Sequence, residues 1–189
     1  EVNGGFADYC VAGTTHTYKL PDEIDGKTGA AVQVLTTVLH AQDNGGVGEG
    51  DTVTVTGLGV TGLMHIQLAK ARGAKHVIGV SRNAHKREVA LALGADAAVT
   101  HGADAKKAVL DNTGGVGADV VIECVGAMPV LAEAMDLARL GGRLIPFAIY
   151  PSGKAELPFY DLYFKELQVL NARAAKGRDF EDCIKLVGD

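Results

Sequence analysis

The stretch from Thr52 to Gly62, TVTVTGLGVTG, constrains this chain more than any other part of it. Five residues of β-favouring alternation run into Gly57-Leu58-Gly59-Val60-Thr61-Gly62, which has the G-x-G-x-x-G spacing. An amphipathic helix follows at once. Leu63, Ile66 and Leu68 are apolar, Lys70 and Arg72 fall in its last turn, and Gly73 supplies a stop. Gly57 permits a tight turn, Gly59 lets backbone N–H groups approach a pyrophosphate, and Gly62 lets the helix pack on the strand. A phosphate placed there meets the positive end of the helix dipole. The spacing is weak evidence in isolation, and a glycine turn serving only strand–helix packing is the competing reading. Here, however, it follows a strand, opens a helix and leads to a second strand, His76 to Val80. That context makes Gly57, Gly59, Val60, Thr61 and Gly62 candidate dinucleotide-binding residues.

Composition bounds the alternatives. A chain of 189 residues that is 47% hydrophobic can bury a sizeable core. A net charge of −5 and the lack of a basic stripe interleaved with aromatics argue against a nucleic-acid partner. No apolar run reaches membrane-spanning length, and no signal peptide is recognisable, so no membrane partner is expected. Cys10, Cys124 and Cys183 form no C-x-x-C pair, which points away from a disulfide framework or zinc knuckle and toward a reducing cytoplasm.

In chain order, Phe6 to Val11 alternates like a strand, and Tyr18 to Asp22 reads as an extended exit closed by a proline turn. This opening segment cannot form its own core, and the chain reads as a piece of a longer protein. Ala30 to Ala41 is a helical run. Beyond Asp51, strands and helices alternate. The second strand is followed by a helix around Lys86 to Leu93, a short strand at Ala97 to Thr100 and a helix from Ala105 to Asn112. Asp119 to Cys124 is a nearly continuous apolar strand of the kind covered on both faces. A helix from Val130 to Leu140, ended by Gly141-Gly142, precedes a fifth strand at Arg143 to Ile149. Leu167 to Leu170 is a sixth strand, and Asp179 N-caps a last helix through Leu186. The fold class is α/β, with a doubly wound parallel sheet of Rossmann type.

The end of the second strand bears on cofactor choice. NAD-binding folds usually place Asp or Glu there, about twenty residues past the glycines, on the ribose 2′-OH. Here Ser81 and Arg82 occupy that place, with Lys86 and Arg87 one helical turn on. A hydroxyl and cations can hydrogen-bond a 2′-phosphate that a carboxylate would repel. Ser81, Arg82 and Lys86 therefore favour NADP(H), with NAD(H) possible if these cations are only a solvated helix face.

With these residues in place, the chain resembles the rear part of a medium-chain dehydrogenase/reductase of the zinc-type alcohol dehydrogenase superfamily. The pieces that carry the resemblance are GGFADY, KLPDEI, LTTVLHA, GEGDTVTVTGLGVTGLMHIQLAKARGA, LGADAAV, GGVGADVVIECVG, GGRLIPF, YDLYFKELQV and DFEDCIKLV, with a lean toward the secondary-alcohol and polyol branches. The resemblance implies that residues 1–29 are a remnant of a GroES-like catalytic domain and that residues 30–189 are the dinucleotide-binding Rossmann domain. It implies hydride transfer between the nicotinamide and an alcohol or carbonyl substrate in the parent protein, and assembly as a homo-oligomer through the edge strand near Leu167 to Leu170. That edge could instead be blunted by Lys165 and Glu166. Of the family's catalytic zinc ligands, only the third maps onto this chain. It falls on Gln33, whose neutral amide is a poor zinc ligand. Zinc is thus an expectation for the parent and not for this chain.

Thr37 matches a threonine that lies beside the nicotinamide in similar proteins, although a helical Thr can equally bond back to its own backbone. His40 reads as a satisfied, half-buried imidazole. His16, His65, His76, His85 and His101 show no ligand spacing and are expected at surfaces or element ends. Cys124 reads as a small hydrophobe near the cofactor crevice, and Asp119 and Glu123 as turn and strand-end residues. No catalytic residue is expected within the chain. Two alternatives remain: a zinc-independent quinone or enoyl reductase of the same superfamily, and a non-catalytic nucleotide-binding module. S-adenosylmethionine binding is disfavoured, because that fold also wants an acid at the second strand end.

Overall fold

A computed structural model of the chain describes residues 4–151 and 156–188. Helix α1 (Gly26–Asn44) begins four residues before the apolar periodicity does, because the Asp25 side chain accepts the Thr28 amide at 2.7 Å and caps it. After the glycine-rich loop come β1 (Thr52–Thr56), α2 (Val60–Ala71), β2 (His76–Val80), α3 (Ala84–Ala92), β3 (Ala97–Val99) and α4 (Ala103–Thr113). The second half supplies β4 (Ala118–Glu123), α5 (Met128–Leu137), β5 (Ala138–Pro146), α6 (Phe159–Phe164), β6 (Gln168–Val169) and α7 (Gly177–Gly188).

All strand pairs are parallel, in the order β3-β2-β1-β4-β5-β6. Strand alternation sends Val53, Val55, Val77, Val120 and Ile122 to one face, where Ala41 of α1, Ile66 of α2 and Ala90 of α3 cover them. Ile78, Val80, Val121 and Leu144 point to the other face, under Val109 of α4 and Leu131 and Met135 of α5. The apolar run of β4 is thus explained by cover on both faces. A third cluster joins α1, α2 and α7 through Val38, Leu68 and Cys183. Among the described residues, no helix is long and apolar enough to cross a membrane.

Four expectations change. Phe6 to Val11 forms no strand; Phe6, Tyr9 and Val11 stand in solvent, and among the described residues a 3₁₀ turn at Thr14–His16 is the one element before α1. The Gly141-Gly142 pair does not stop α5. Both glycines lie inside β5, beside a register shift between β4 and β5, where a Cβ on Gly142 would sit 2.8 Å from the Arg139 carbonyl. They serve a β-irregularity, one of the uses of glycine within a strand. The end of α5 is capped instead by Lys165, whose ammonium donates to the carbonyls of Met135 (3.0 Å), Asp136 (2.7 Å) and Ala138 (3.0 Å). Asp179 lies inside the first turn of α7 and not before it. Its buried carboxylate accepts the Lys176 amide at 2.5 Å and lies 3.2 Å from Nδ1 of buried His40 on α1.

The fourth change concerns His65, which is fully buried in mid-α2. Gln42 of α1 donates through Nε2 to the His65 carbonyl (2.8 Å) and reaches its Nδ1 (3.2 Å). The carbonyl, which can only accept, fixes the orientation of the amide, so Nδ1 is the ring's acceptor. Phe147 packs against the ring at right angles, with centroids 4.6 Å apart. Burial, with Arg72 adding repulsion, lowers the His65 pKa from 6.5 to about 3.

The unfolded chain therefore takes up a proton at His65 below pH 6.5 that the folded chain refuses until about pH 3. Stability is untouched by this group above that window. Within it, stability falls by about 1.4 kcal/mol per unit as pH drops. Replacing His65 with Leu should flatten the loss of urea resistance between neutral and mildly acid pH, and equal slopes in wild type and variant would contradict this account.

Candidate functional site

The C-terminal ends of β1, β2 and β4 open onto a cleft of about 840 Å³. Its floor is the glycine turn. Gly57 has φ +91°, a conformation that side chains resist, and a Cβ there would lie 2.6 Å from Val125. A Cβ on Gly62 would lie 1.9 Å from the Gly57 carbonyl, so α2 can sit on β1 only with glycine there. A Cβ on Gly59 meets nothing within 4 Å. Gly59 is also the N-cap of α2 and offers no side-chain acceptor to the first amides of the helix. Those donors and the positive end of the helix dipole face an open space suited to an anion.

Ser81, Arg82 and Lys86 line one wall together with Asn83. The Asn83 side chain accepts the Lys86 amide (3.1 Å) and caps α3, and the Asn83 backbone N–H donates to Ser81 Oγ at 3.3 Å. Arg87 turns away from the cleft and donates to the carbonyls of Ser81 (2.7 Å) and Arg82 (3.0 Å), bracing the loop from behind. Arg82 and Lys86 are exposed and form no ion pair among the described residues. The facing wall holds His101 and Glu133, which contact each other at 2.5 Å, and Glu133 also accepts the Gly102 amide at 2.6 Å. The one carboxylate on that wall is thus already engaged.

Cys124 and Val125 continue the lining beyond β4. Burial, reinforced by the neighbouring Glu123 charge, pushes the Cys124 thiol far up against an opposing hydrogen bond from Thr61. Thr61 reaches the cleft only through this contact. Val60 is exposed at the helix start, and Gly62 is buried beneath the turn. Thr37 does not line the cleft; it is half-buried on α1, where its hydroxyl donates to the Val34 carbonyl at 2.7 Å. His76 begins β2, half-buried, and the His85 ring is exposed 3.7 Å from Glu88. The side chain of His16 lies outside the described residues. Asp119 accepts the Thr52 amide (2.8 Å) and Arg139 Nε (2.7 Å), which outweigh burial and hold its carboxyl below the usual range at the opposite end of the sheet from the cleft. His101, Glu133 and Glu123 were not foreseen as site residues, although the rule that ligands bind beyond the strand ends could have flagged His101 after β3 and Glu123 at the end of β4.

A family model described as zinc-binding dehydrogenase matches residues 60–189. The chain belongs to the zinc-binding dehydrogenase family. It is 32% identical over 191 residues to a sorbitol dehydrogenase of Halalkalibacterium halodurans, covering 100% of this chain and 56% of that protein. A solved structure from Sinorhizobium meliloti 1021, described as a zinc-binding dehydrogenase bound to NADP, superposes with a TM-score of 0.82 at 34% identity, covering 90% of this chain and 51% of that one. Galactitol-1-phosphate dehydrogenase from Escherichia coli shares the fold, with a TM-score of 0.89 at 24% identity over 98% of this chain and 56% of that one. The chain spans about half the length of the curated relatives it matches. As a member of that family, it carries a dehydrogenase-like cofactor-binding domain. The metal is a different matter. Among the described residues, no three His, Cys, Asp or Glu side chains gather to hold an ion, and Gln33 stands exposed on α1.

The glycines separate packing from ligand contact. Gly62→Ala should cost about 1–3 kcal/mol of stability by overpacking. Gly59→Ala should cost about 1 kcal/mol or less, since its φ of −78° suits alanine, yet it should weaken dinucleotide binding. Thermal melting with and without ligand measures both, and equal stability losses would contradict the assignment.

Proposed function

We propose that this chain is the NADP(H)-preferring cofactor-binding part of an alcohol dehydrogenase-like oxidoreductase. The observation that carries the preference is the wall at the end of β2, a serine and two cations without ion pairs among the described residues, opposite a Glu133 carboxylate already engaged by His101 and Gly102. The NADP bound to the Sinorhizobium relative and the NADH complexed with an Escherichia coli CFT073 relative support a nicotinamide dinucleotide, and the preference between them rests on that wall. The glycine turn fits the cofactor, since its one open Cβ direction faces the cleft and its helix offers uncapped amides.

In this reading the amides at Gly59 to Thr61 hold the pyrophosphate. The Ser81 hydroxyl, Arg82 and Lys86 hold the 2′-phosphate, with Arg82 and Lys86 as charge-assisted donors. Val125 and Cys124 exclude water from the far half of the cleft. When bound, the nicotinamide supplies or accepts the hydride, and the parent protein positions an alcohol or carbonyl carbon against it. No step is assigned to zinc. The amide of Gln33 favours a second reading, a metal-free quinone or enoyl reductase of the same superfamily.

Residues 1–29 are proposed to belong to a separate catalytic domain, consistent with the exposure of Phe6, Tyr9 and Val11. A second copy is proposed to pair along β6, whose residues are exposed beside exposed Phe159, Tyr160, Tyr163 and Phe164. Lys165 does not blunt that edge, because its ammonium is turned inward onto α5. Three free cysteines fit a reducing, cytoplasmic setting. By itself the chain is expected to bind cofactor without oxidising an alcohol, and absorbance of the reduced nicotinamide checks this.

Calorimetric titration tests the preference. NADPH should bind more tightly than NADH, and the Arg82→Ala/Lys86→Ala double variant should lose about 10–100-fold for NADPH with little change for NADH. NADH binding as tightly as NADPH to the wild type would overturn the proposal.

A further inference from the structure

We infer that Glu123 is a positioning residue that sets the wall for the nicotinamide half of the dinucleotide, an inference that rests on the cofactor reading above. Glu123 ends β4 and is fully buried. A buried carboxylate is costly unless every lone pair is engaged. Here it accepts the amide of Val125 at 2.7 Å and that of Gly126 at 3.1 Å to each oxygen, and the Tyr150 hydroxyl donates to Oε2. The Glu123 backbone carbonyl accepts the amides of Phe147 (2.9 Å) and Ala148 (3.0 Å). One residue therefore ties the loop leaving β4 to the loop leaving β5, through charge-assisted bonds that fix direction as well as distance. Burial, then the bond to Glu123 and its charge, pushes the Tyr150 hydroxyl far up, so it remains a donor.

The two loops touch each other and the glycine turn. A Cβ on Gly126 would lie 2.7 Å from the Ile149 carbonyl, and one on Gly57 would lie 2.6 Å from Val125. In the sheet, β2 with Ser81 at its exit lies on one side of β1, while β4 and β5 lie on the other. A dinucleotide with its pyrophosphate on the glycine turn and its adenosine ribose at Ser81 must extend its remaining half toward the loops that Glu123 holds. Displacing Val125 and Gly126 would move that wall and leave the adenosine wall, built from β2 and α3, where it is.

The test compares NADP⁺ with 2′,5′-ADP, which lacks the nicotinamide half, on wild type, Glu123→Gln and Tyr150→Phe. Gln keeps the size of Glu but removes the charge from all of the carboxylate's bonds and turns an N–H₂ toward the Gly126 amide that shares Oε2. Glu123→Gln should weaken NADP⁺ about ten-fold or more while 2′,5′-ADP stays within about two-fold. Tyr150→Phe removes one donor, leaves the carboxylate on its amides, and should shift the same ratio by less; it carries the test if Glu123→Gln does not fold. A purely structural role would lower both affinities together or neither, and that result in Tyr150→Phe, or in folded Glu123→Gln, overturns the inference alone. Wild type that binds neither compound overturns the cofactor reading, and the inference with it.

Discussion

The structure depends on one close approach, that of α2 onto the end of β1. No side chain can stand between Gly62 and the Gly57 carbonyl, and Gly57 itself must take a left-handed conformation against Cys124 and Val125. Given that contact, the N-terminus of α2 is aimed along the crevice between β1 and β4, where the strand order reverses. The cleft follows from the topology. The walls come from whichever residues stand at the ends of β2, β3, β4 and β5, and those residues decide what can bind.

The two sides of the cleft are built differently. On the β2 side, Arg87 and Asn83 are spent on backbone, leaving Arg82 and Lys86 exposed and without ion pairs among the described residues. Unpaired cations at an open wall can contact a ligand phosphate without first breaking a protein ion pair. On the β4 and β5 side the polar groups are fully used. The Glu123 carboxylate, the Tyr150 hydroxyl and the amides of Val125 and Gly126 satisfy one another, so that side supplies shape and not charge. A dinucleotide, charged in its middle and at a phosphorylated ribose, matches this division.

Much of this was legible from periodicity and glycine placement. β1 and β2 were read to the residue from Thr52–Thr56 and His76–Val80, because both are rich in β-branched residues and β1 runs straight into the glycine turn. What was hidden depends on tertiary contact. Gly141-Gly142 looks like a helix stop until the register shift beside Ala118 gives it a place within a strand. His65 sits among apolar helix positions, and its partner Gln42, twenty-three residues earlier, engages its Nδ1 and carbonyl while Nε2 has no hydrogen bond among the described residues. Glu123 reads as a strand-end acid until the loops from β4 and β5 fold back onto it. In each case the partner that explains the residue is distant in sequence.

The central claim, that a nicotinamide dinucleotide lies across the glycine turn from Ser81 to Val125, is tested most directly by backbone amide chemical shifts during titration with NADP⁺. The account predicts the largest perturbations at Gly59, Val60 and Thr61, with others at Ser81 to Lys86 and at Val125 and Gly126. A second, apolar groove of about 290 Å³ between α1, α2 and α7, lined by Val32, Leu35, Met64 and Leu186, is predicted to stay silent. Perturbations centred on that groove, with the glycine turn unmoved, would contradict the account.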